Sequence, residues 1–368
     1  MKEIFVLHHI KYDHTVSYPV MLCYKIFTIM RSYFEKHNYI VYDITDFVPT
    51  KDEYKQIIDP KKNDTLTDEE IREIYLKAVQ SMYSFIRNND IRDAFIFGFH
   101  PYGYDPLFKD AYNYAMLLKH NFKIFMWHDD LHSYNRNRNK PDTDIVSDHR
   151  LDKAHYIITP SYNYYRNIQS PYLEKSIFYF YCLNENYFKD ILTNDFDKRD
   201  NKIILTGASG RGYPFRHAVY QHFHTSDSGK KYIDVLSHPG YDRKKNKGKT
   251  GVDYLKILAK YKGAFFGFLS YPLDHPLAKI IEILSCGTIG FFEFLPILEE
   301  QLGLIAFVHY VPMLTNNKHE PIFDMKYYMY YLTSPEGKAI AEAGCKYVRE
   351  RFTMKNKCDE VMNMLEYL

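Results

Sequence analysis

A chain of 368 residues exceeds what one ordinary core serves, so two domains are expected. Its 46% hydrophobic and 26% charged content is that of a globular protein rather than a disordered or fibrous one. A formal net charge of +2 lacks the basic excess of an electrostatic nucleic-acid binder, so no nucleic-acid partner is expected.

In chain order, the first half alternates short apolar runs with helical stretches. Ile4–His8 reads as a buried strand, Tyr18–His37 as one amphipathic helix and Tyr39–Ile44 as a second strand. Thr67-Asp68-Glu69-Glu70 has the form of a capping box and opens a helix to about Arg87. Asp93–Phe99, Lys123–Trp127 and His155–Thr159 are further strands, and a helix starts near Tyr162. The pattern restarts with a strand at Lys202–Leu205, which ends in the turn Gly207-Ala208-Ser209-Gly210-Arg211-Gly212. A helix from Pro214, a strand Tyr232–Leu236, a helix Val252–Tyr261 and a strand Gly263–Leu269 follow. Gly287–Phe292 and Ile305–Val308 are the last expected strands, with helices after Met325. Strands separated by helices imply βαβ units and parallel sheets. The join falls near residues 183–200, and ligands of such sheets bind at the carboxyl ends of the strands. The lysine-rich run Tyr241–Gly251 reads as a solvated loop or as a phosphate-contacting lid.

Processing and redox signals are few. No window approaches the roughly 20 consecutive apolar residues of a membrane span. The start Met1–Leu7 reads directly as a strand rather than as a secretory signal. The five cysteines are scattered and none has C-x-x-C spacing, which fits reduced thiols and a cytoplasmic setting.

The segment from Tyr271 to Glu293 carries the most chemistry. Pro276 stands at an expected first helical turn, where a missing N–H costs nothing. Asp274 precedes it, Glu282 follows two turns later, and Cys286-Gly287-Thr288 breaks the helix. Free amides at such a start, here those of Leu277 and Ala278, favour an anion, and the flanking acids can accept hydrogen bonds from sugar hydroxyls. A nucleotide-sugar requires both. The plainer reading is a capped amphipathic helix with a surface Lys279–Glu282 ion pair. Arg211 and Arg216 flank the glycine-rich turn and could face a leaving diphosphate through bidentate contacts, or be surface arginines.

In the first half, His8 and His9, His100, and Trp127-His128-Asp129-Asp130-Leu131-His132 all lie at expected strand ends. An inverting sugar transfer needs a base such as Asp129 or Asp130, whereas a retaining one does not and would leave His100 to hydrogen-bond the sugar. Turn capping or core hydrogen bonding is the alternative for each. The His128–His132 cluster and Asp142-Thr143-Asp144 also have forms that can bind a divalent ion. No P-loop and no G-x-S-x-G elbow is present.

The second half resembles the C-terminal domain of GT-B glycosyltransferases, closest to the group-one and spore-coat-maturation (CgeB-like) branch. The resemblance is carried by Ile204–Ser209 with Tyr213-Pro214-Phe215-Arg216, by His238-Pro239-Gly240-Tyr241 with Gly251, Tyr254 and Leu258, and by Pro272–Glu293, covering roughly residues 175–310. The retaining families carry an E-x7-E pair, here Asp274 and Glu282. The resemblance implies that Glu282 binds the ribose hydroxyls and that Asp274, one methylene shorter than the family's Glu, contacts the transferred sugar. It places the diphosphate on helix ends and arginines with no metal and no cofactor required. Gly207, Ser209, Arg211, Arg216, Pro276, Leu277 and Lys279 would line the donor site, and His238 and Tyr241 would border the base pocket.

The expectation is an α/β chain of two Rossmann-like domains facing across a cleft. Residues 1–183 would bind the acceptor and 184–352 the nucleotide-sugar, with a helix in 353–368 packing back on the first domain. The implied activity moves a sugar from a UDP- or GDP-sugar to a glycan or other hydroxyl acceptor. A sugar-nucleotide epimerase of the same fold and a non-catalytic nucleotide-sugar-binding protein are the alternatives. Sugar, acceptor and stereochemical outcome stay open.

Overall fold

A computed structural model describes residues 2–7, 20–21, 24–58, 66–100, 111–128, 149–179, 181–188, 191, 195–207, 213–236, 251–268, 278–316 and 320–368. The chain divides into two compact units. One comprises Met1–Ser17, Leu22–Tyr179 and Cys358–Leu368, and the other Tyr18–Met21 and Phe180–Lys357.

The first unit is built on a six-stranded sheet of β1 (Lys2–Leu7), β2 (Tyr39–Asp43), β3 (Asp93–His100), β4 (Asn121–His128), β5 (Tyr156–Thr159) and β6 (Ser176–Phe178). Its spatial order is β2-β1-β3-β4-β5-β6 and every pairing is parallel. Residues of β1 are buried on both sides from Ile4 to Leu7, as a strand covered on both faces requires. The helix Asp68–Asn88 covers one face, and Met82, Tyr83 and Ile86 join Phe5, Ile96 and Ile124 in a single core. Thr67 and Glu70 close the expected capping box, with Glu70 N donating to Thr67 Oγ1 and Thr67 N to Glu70 Oε2. The final helix, Met354–Tyr367, enters this unit at Cys358, and Tyr33 Oη donates to Asp359 Oδ1 at 2.7 Å.

The second unit carries a five-stranded sheet of β7 (Asp200–Thr206), β8 (Ile233–Leu236), β9 (Tyr261–Phe266), β10 (Ile289–Phe292) and β11 (Val311–Pro312). Its order is β8-β7-β9-β10-β11, again all parallel. Phe223, Phe265, Phe291 and Tyr328 form an aromatic cluster at one face, with ring centroids 4.9–5.8 Å apart. In both sheets the chain pairs its second strand on one side of the first, then continues on the other. That reversal lies between β1 and β3 in one sheet and between β7 and β9 in the other, and it opens a crevice at the carboxyl ends.

Two expected elements differ. Tyr18–His37 is not one helix. Val20–Met21 pairs antiparallel with Cys182–Leu183, and the helical parts are Tyr24–Ile29 and Arg31–Lys36, separated at Met30. Pro19 disfavours helix before it, and pairing with a distant strand overrides the local periodicity. Ile305–Val308 is a turn rather than a strand. Its Ile305, Phe307 and Val308 are exposed, and Phe307 is left-handed at φ 61°, which no strand residue adopts. Val311–Pro312 takes the sheet edge instead, where proline's missing donor is tolerated. Boundaries also shift at Tyr232, which ends the helix Asp227–Tyr232, and at Tyr261, which opens β9.

Candidate functional site

In the second unit the reversal point brings Thr206 at the end of β7 and Gly207 after it beside Gly267-Phe268 after β9, with Glu293 following β10. Glu293 Oε2 accepts from the Phe268 backbone N–H at 3.1 Å and ties two of these strand ends together. Onto this edge project side chains from three helices.

Arg216 comes from the first turn of Pro214–Thr225, which Pro214 starts with its preset φ. The guanidinium carbon lies 3.4 Å from the centroid of the Tyr213 ring and 4.9 Å from that of Phe266. Its Nη1 occupies the place where a Cβ on residue 207 would project, so only glycine fits there. Gly207 also holds φ 94°, a conformation suited to glycine. Arg216 is 2% exposed, and its Nε and Nη2 have no hydrogen-bond partner among the described residues. Burial pulls its pKa down to about 10 against the opposing pull of Tyr213, Tyr254 and Glu293. A buried cation with two idle donors, aimed at a strand-end crevice, is an arrangement that an anion would complete.

Lys279 opens the helix Lys279–Ser285. Its Cε passes 3.5 Å from the same vacant Cβ position of Gly207, so Arg216 and Lys279 converge on one turn. Nζ lies 3.3 Å from Glu282 Oε2 and 4.3 Å above the Tyr254 ring. Burial works against the ammonium, but Glu282 and Tyr254 outweigh it and hold Lys279 above the usual lysine value. The Lys279 side chain is 25% exposed and that of Glu282 13%, so the pair sits at the lip of the site rather than on an open surface. Tyr254, from the helix Gly251–Leu258, shares a 2.8 Å hydrogen bond with Thr206 Oγ1 at the end of β7.

The helix bearing Lys279 and Glu282 is fixed from its other end. Gly287 takes φ 64° just past the C-terminus, and Arg199 Nη1 donates to its carbonyl at 2.7 Å. Arg349 Nε donates to Ser285 O at 2.9 Å, so two cations complete the helix's negative end. Burial pushes the adjacent Cys286 thiol well up and favours its protonated form. Cys182, Cys286, Cys345 and Cys358 are all buried thiols outside any disulfide.

Of the residues singled out from sequence, the structure brings together Gly207, Arg216, Lys279 and Glu282. The helix begins at Lys279, with Ala278 as its cap residue. Asp274, Pro276 and Leu277 lie outside the described residues, as do Ser209, Arg211, His238, Tyr241, Asp129, Asp130 and Asp142–Asp144. His100 ends β3 in register with His128 at the end of β4; the His100 side chain is outside the described ones. His128 is fully buried, with Nδ1 in hydrogen-bond contact with Tyr165 Oη. Among the described residues, no three His, Cys, Asp or Glu side chains are grouped to hold a metal ion. No helix among them is long and apolar enough to cross a membrane. Sequence reading missed Arg199 and Arg349, and gave Thr206 and Tyr254 no role of their own. The Y-P-F-R spacing, which sets an aromatic three residues before Arg216, was the one local signal for the stacking.

No protein-family model matches the chain, and no curated protein matches it. Solved structures match over the whole length. A glycosyltransferase from Rickettsia africae ESF-5 superposes with TM-score 0.54 at 11% identity, covering 99% of this chain and 97% of that one. An alpha-glucosyltransferase in complex with UDP and a 13-mer DNA containing an HMU base gives 0.56 at 11% identity over 100% of both chains. An alpha-glucosyltransferase in complex with UDP gives 0.52 at 13% identity over 99% of both. At such identities the likeness is one of fold, and it agrees with the strand orders: the chain has the GT-B glycosyltransferase fold, two parallel-sheet α/β units in succession.

Proposed function

We propose that the chain is a glycosyltransferase using a nucleoside-diphosphate sugar, with the donor held by the second unit. The observation that carries this is the buried Arg216, whose Nε and Nη2 are idle at the strand-end reversal while Lys279 reaches the same turn. A diphosphate supplies the oxygens those donors lack. In the transfer, the anomeric carbon–oxygen bond to the diphosphate breaks and a bond to the acceptor oxygen forms, the hydroxyl proton passing to a base if the reaction inverts or to the leaving phosphate if it retains. Negative charge then grows on the leaving phosphate. Fixed donors there act on the transition state, and one can contribute about 3 kcal/mol. Glu282, held 3.3 Å from Lys279, keeps carboxylate oxygen for the ribose hydroxyls, the role the family resemblance assigns it.

The finer parts of this reading are proposals of the same standing. Donor binding falls to 184–352 and acceptor binding to 1–183, with 353–368 returning to the first domain. Asp274 contacts the transferred sugar, and Ser209, Arg211, Pro276 and Leu277 complete the phosphate seat. His238 and Tyr241 border the base. Asp129 or Asp130 acts as base if the reaction inverts, and His100 faces the sugar if it retains. The cationic pair supplies the charge that a metal would otherwise supply, so the reaction is metal-independent and chelator leaves turnover unchanged. Membership of the group-one or CgeB-like branch and a cytoplasmic setting, in keeping with thiols outside any disulfide, belong here too.

The acceptor is a glycan or another hydroxyl compound. The alpha-glucosyltransferase solved with DNA makes a duplex a necessary arm of the acceptor screen, although a net charge of +2 argues against one. The test is calorimetric binding of UDP and GDP, followed by turnover of their sugars with and without acceptors. Arg216→Ala and Glu282→Ala should each weaken nucleotide binding and abolish most transfer. Unchanged affinity and transfer in both would remove the site assignment, and conversion of a UDP-sugar without any acceptor would favour an epimerase.

A further inference from the structure

Tyr254 joins three elements of the site through one phenol. It is 6% exposed, and its Oη shares a 2.8 Å hydrogen bond with Thr206 Oγ1, itself 2% exposed at the end of β7. Its ring lies 4.3 Å beneath Lys279 Nζ. Lys279 has a competing partner on its own helix, Glu282 Oε2 at 3.3 Å. A lysine arm has four rotatable bonds, so holding it in one place carries an entropic cost that some contact must offset. The Glu282 contact alone would draw the ammonium along the helix. The Tyr254 ring face and its phenol oxygen attract it toward the strand end instead, where Cε lies against Gly207.

We propose that Tyr254 is a positioning residue that holds the Lys279 ammonium over the Gly207 turn, beside Arg216, and so divides Lys279 between Glu282 and a bound diphosphate. This rests on the reading of the site as a diphosphate seat. The Thr206 bond orients the ring, and burial keeps the phenol protonated and able to donate in that bond. With the ring in place, Lys279 is shared between Glu282 Oε2 at 3.3 Å and Tyr254 at the strand end, so its charge also reaches the Gly207 turn. Without it, Glu282 is the stronger remaining pull on the ammonium.

The test uses the full chain and three variants. Tyr254→Phe keeps the ring and removes both its Thr206 anchor and the phenol oxygen hydrogen-bonded to Lys279, Thr206→Val breaks the anchor alone, and Tyr254→Leu removes the ring. The first readout is the rate at which acetic anhydride labels Lys279 relative to the exposed Lys230, followed by peptide mass spectrometry. The second is calorimetric affinity for UDP, inorganic pyrophosphate and uridine. Tyr254→Phe and Thr206→Val should each change Lys279 labelling several-fold. They should weaken UDP and pyrophosphate by about 2–10-fold, the worth of one buried hydrogen bond, and leave uridine unchanged. Tyr254→Leu should do so more strongly. Unchanged Lys279 labelling in both conservative variants overturns the proposal, as does an equal loss for uridine and pyrophosphate, which marks a merely structural role. Altered labelling in a chain whose wild type binds neither UDP nor pyrophosphate would retain the Tyr254–Lys279 coupling and refute the diphosphate reading.

Discussion

Replacing Arg216 by methionine separates a binding role from a structural one, because the two roles predict opposite signs in stability. Burial lowers the folded-state pKa from 12.5 to about 10, so charging the guanidinium costs the fold about 3 kcal/mol relative to the exposed side chain. Below pH 10 the group is protonated in both states, and this cost is fully present at pH 7. As pH rises from about 10 toward 12.5 the unfolded chain binds more protons than the folded one, so stability rises and the cost is relieved. Methionine keeps an apolar arm between Tyr213 and Phe266 and removes the charge. Lost ring contacts return part of the gain, about 0.5–2 kcal/mol each. The ligand-free variant should therefore be as stable as the wild type or up to about 2 kcal/mol more stable in urea unfolding at pH 7. UDP affinity should fall by about 100-fold, the loss of a charge-assisted contact of about 3 kcal/mol. Calorimetry and urea titration on the same preparations decide it. A variant destabilised by more than about 1 kcal/mol with unchanged UDP affinity would show that the fold already satisfies Arg216, and the functional argument would fail.

Gly207→Ala forces a Cβ into Arg216 Nη1 and a left-handed backbone at φ 94°. It should cost about 1–3 kcal/mol of stability and at least as much of UDP affinity, read by urea unfolding and calorimetry. Arg349→Met uncaps Ser285 O at the far end of the helix bearing Lys279 and Glu282. Left with only the weak Cys345 Sγ donor at 3.4 Å, that carbonyl should lower stability by about 1–2 kcal/mol, and nucleotide affinity should fall without any contact to nucleotide being removed. An unchanged melting temperature would show that Arg349 is spared by solvent.

What the sequence discloses follows from how far apart the partners lie. The Thr67–Glu70 capping box, the Pro214 helix start and the alternation of strands with helices are local, and all stand in the structure. The Lys279–Glu282 pair is likewise three residues apart and visible at helical spacing. Tyr254 and Thr206 are 48 residues apart, Arg349 and Ser285 64, and Arg199 and Gly287 88. No period or motif encodes such pairings, since they exist only once parallel strands bring their ends together. The Tyr18–His37 and Ile305–Val308 misreadings have the same origin. Val20–Met21 leaves its helical pattern to pair with Cys182–Leu183, and the apolar Ile305–Val308 run is displaced from the sheet by a left-handed Phe307.

The contrast between two buried arginines carries the functional argument further than either alone. Arg199 is 8% exposed and Arg216 2%, and both lose pKa to burial. Arg199 places Nη1 on Gly287 O at 2.7 Å and reaches Thr288 Oγ1 at 3.4 Å, so its burial completes a helix terminus. Arg216 is held by the Tyr213 and Phe266 ring faces and by a side-chain hydrogen bond to Tyr213, and these leave Nε and Nη2 without a partner among the described residues. Ring faces fix a guanidinium without needing all of its donors, which is the arrangement wanted where a charged partner arrives from outside. Folding can offset a buried charge once, by supplying oxygen from the chain. Where it supplies aromatic faces instead, the proposed diphosphate is the partner that would bring the oxygen, at the β7–β9 reversal where Arg216 lies.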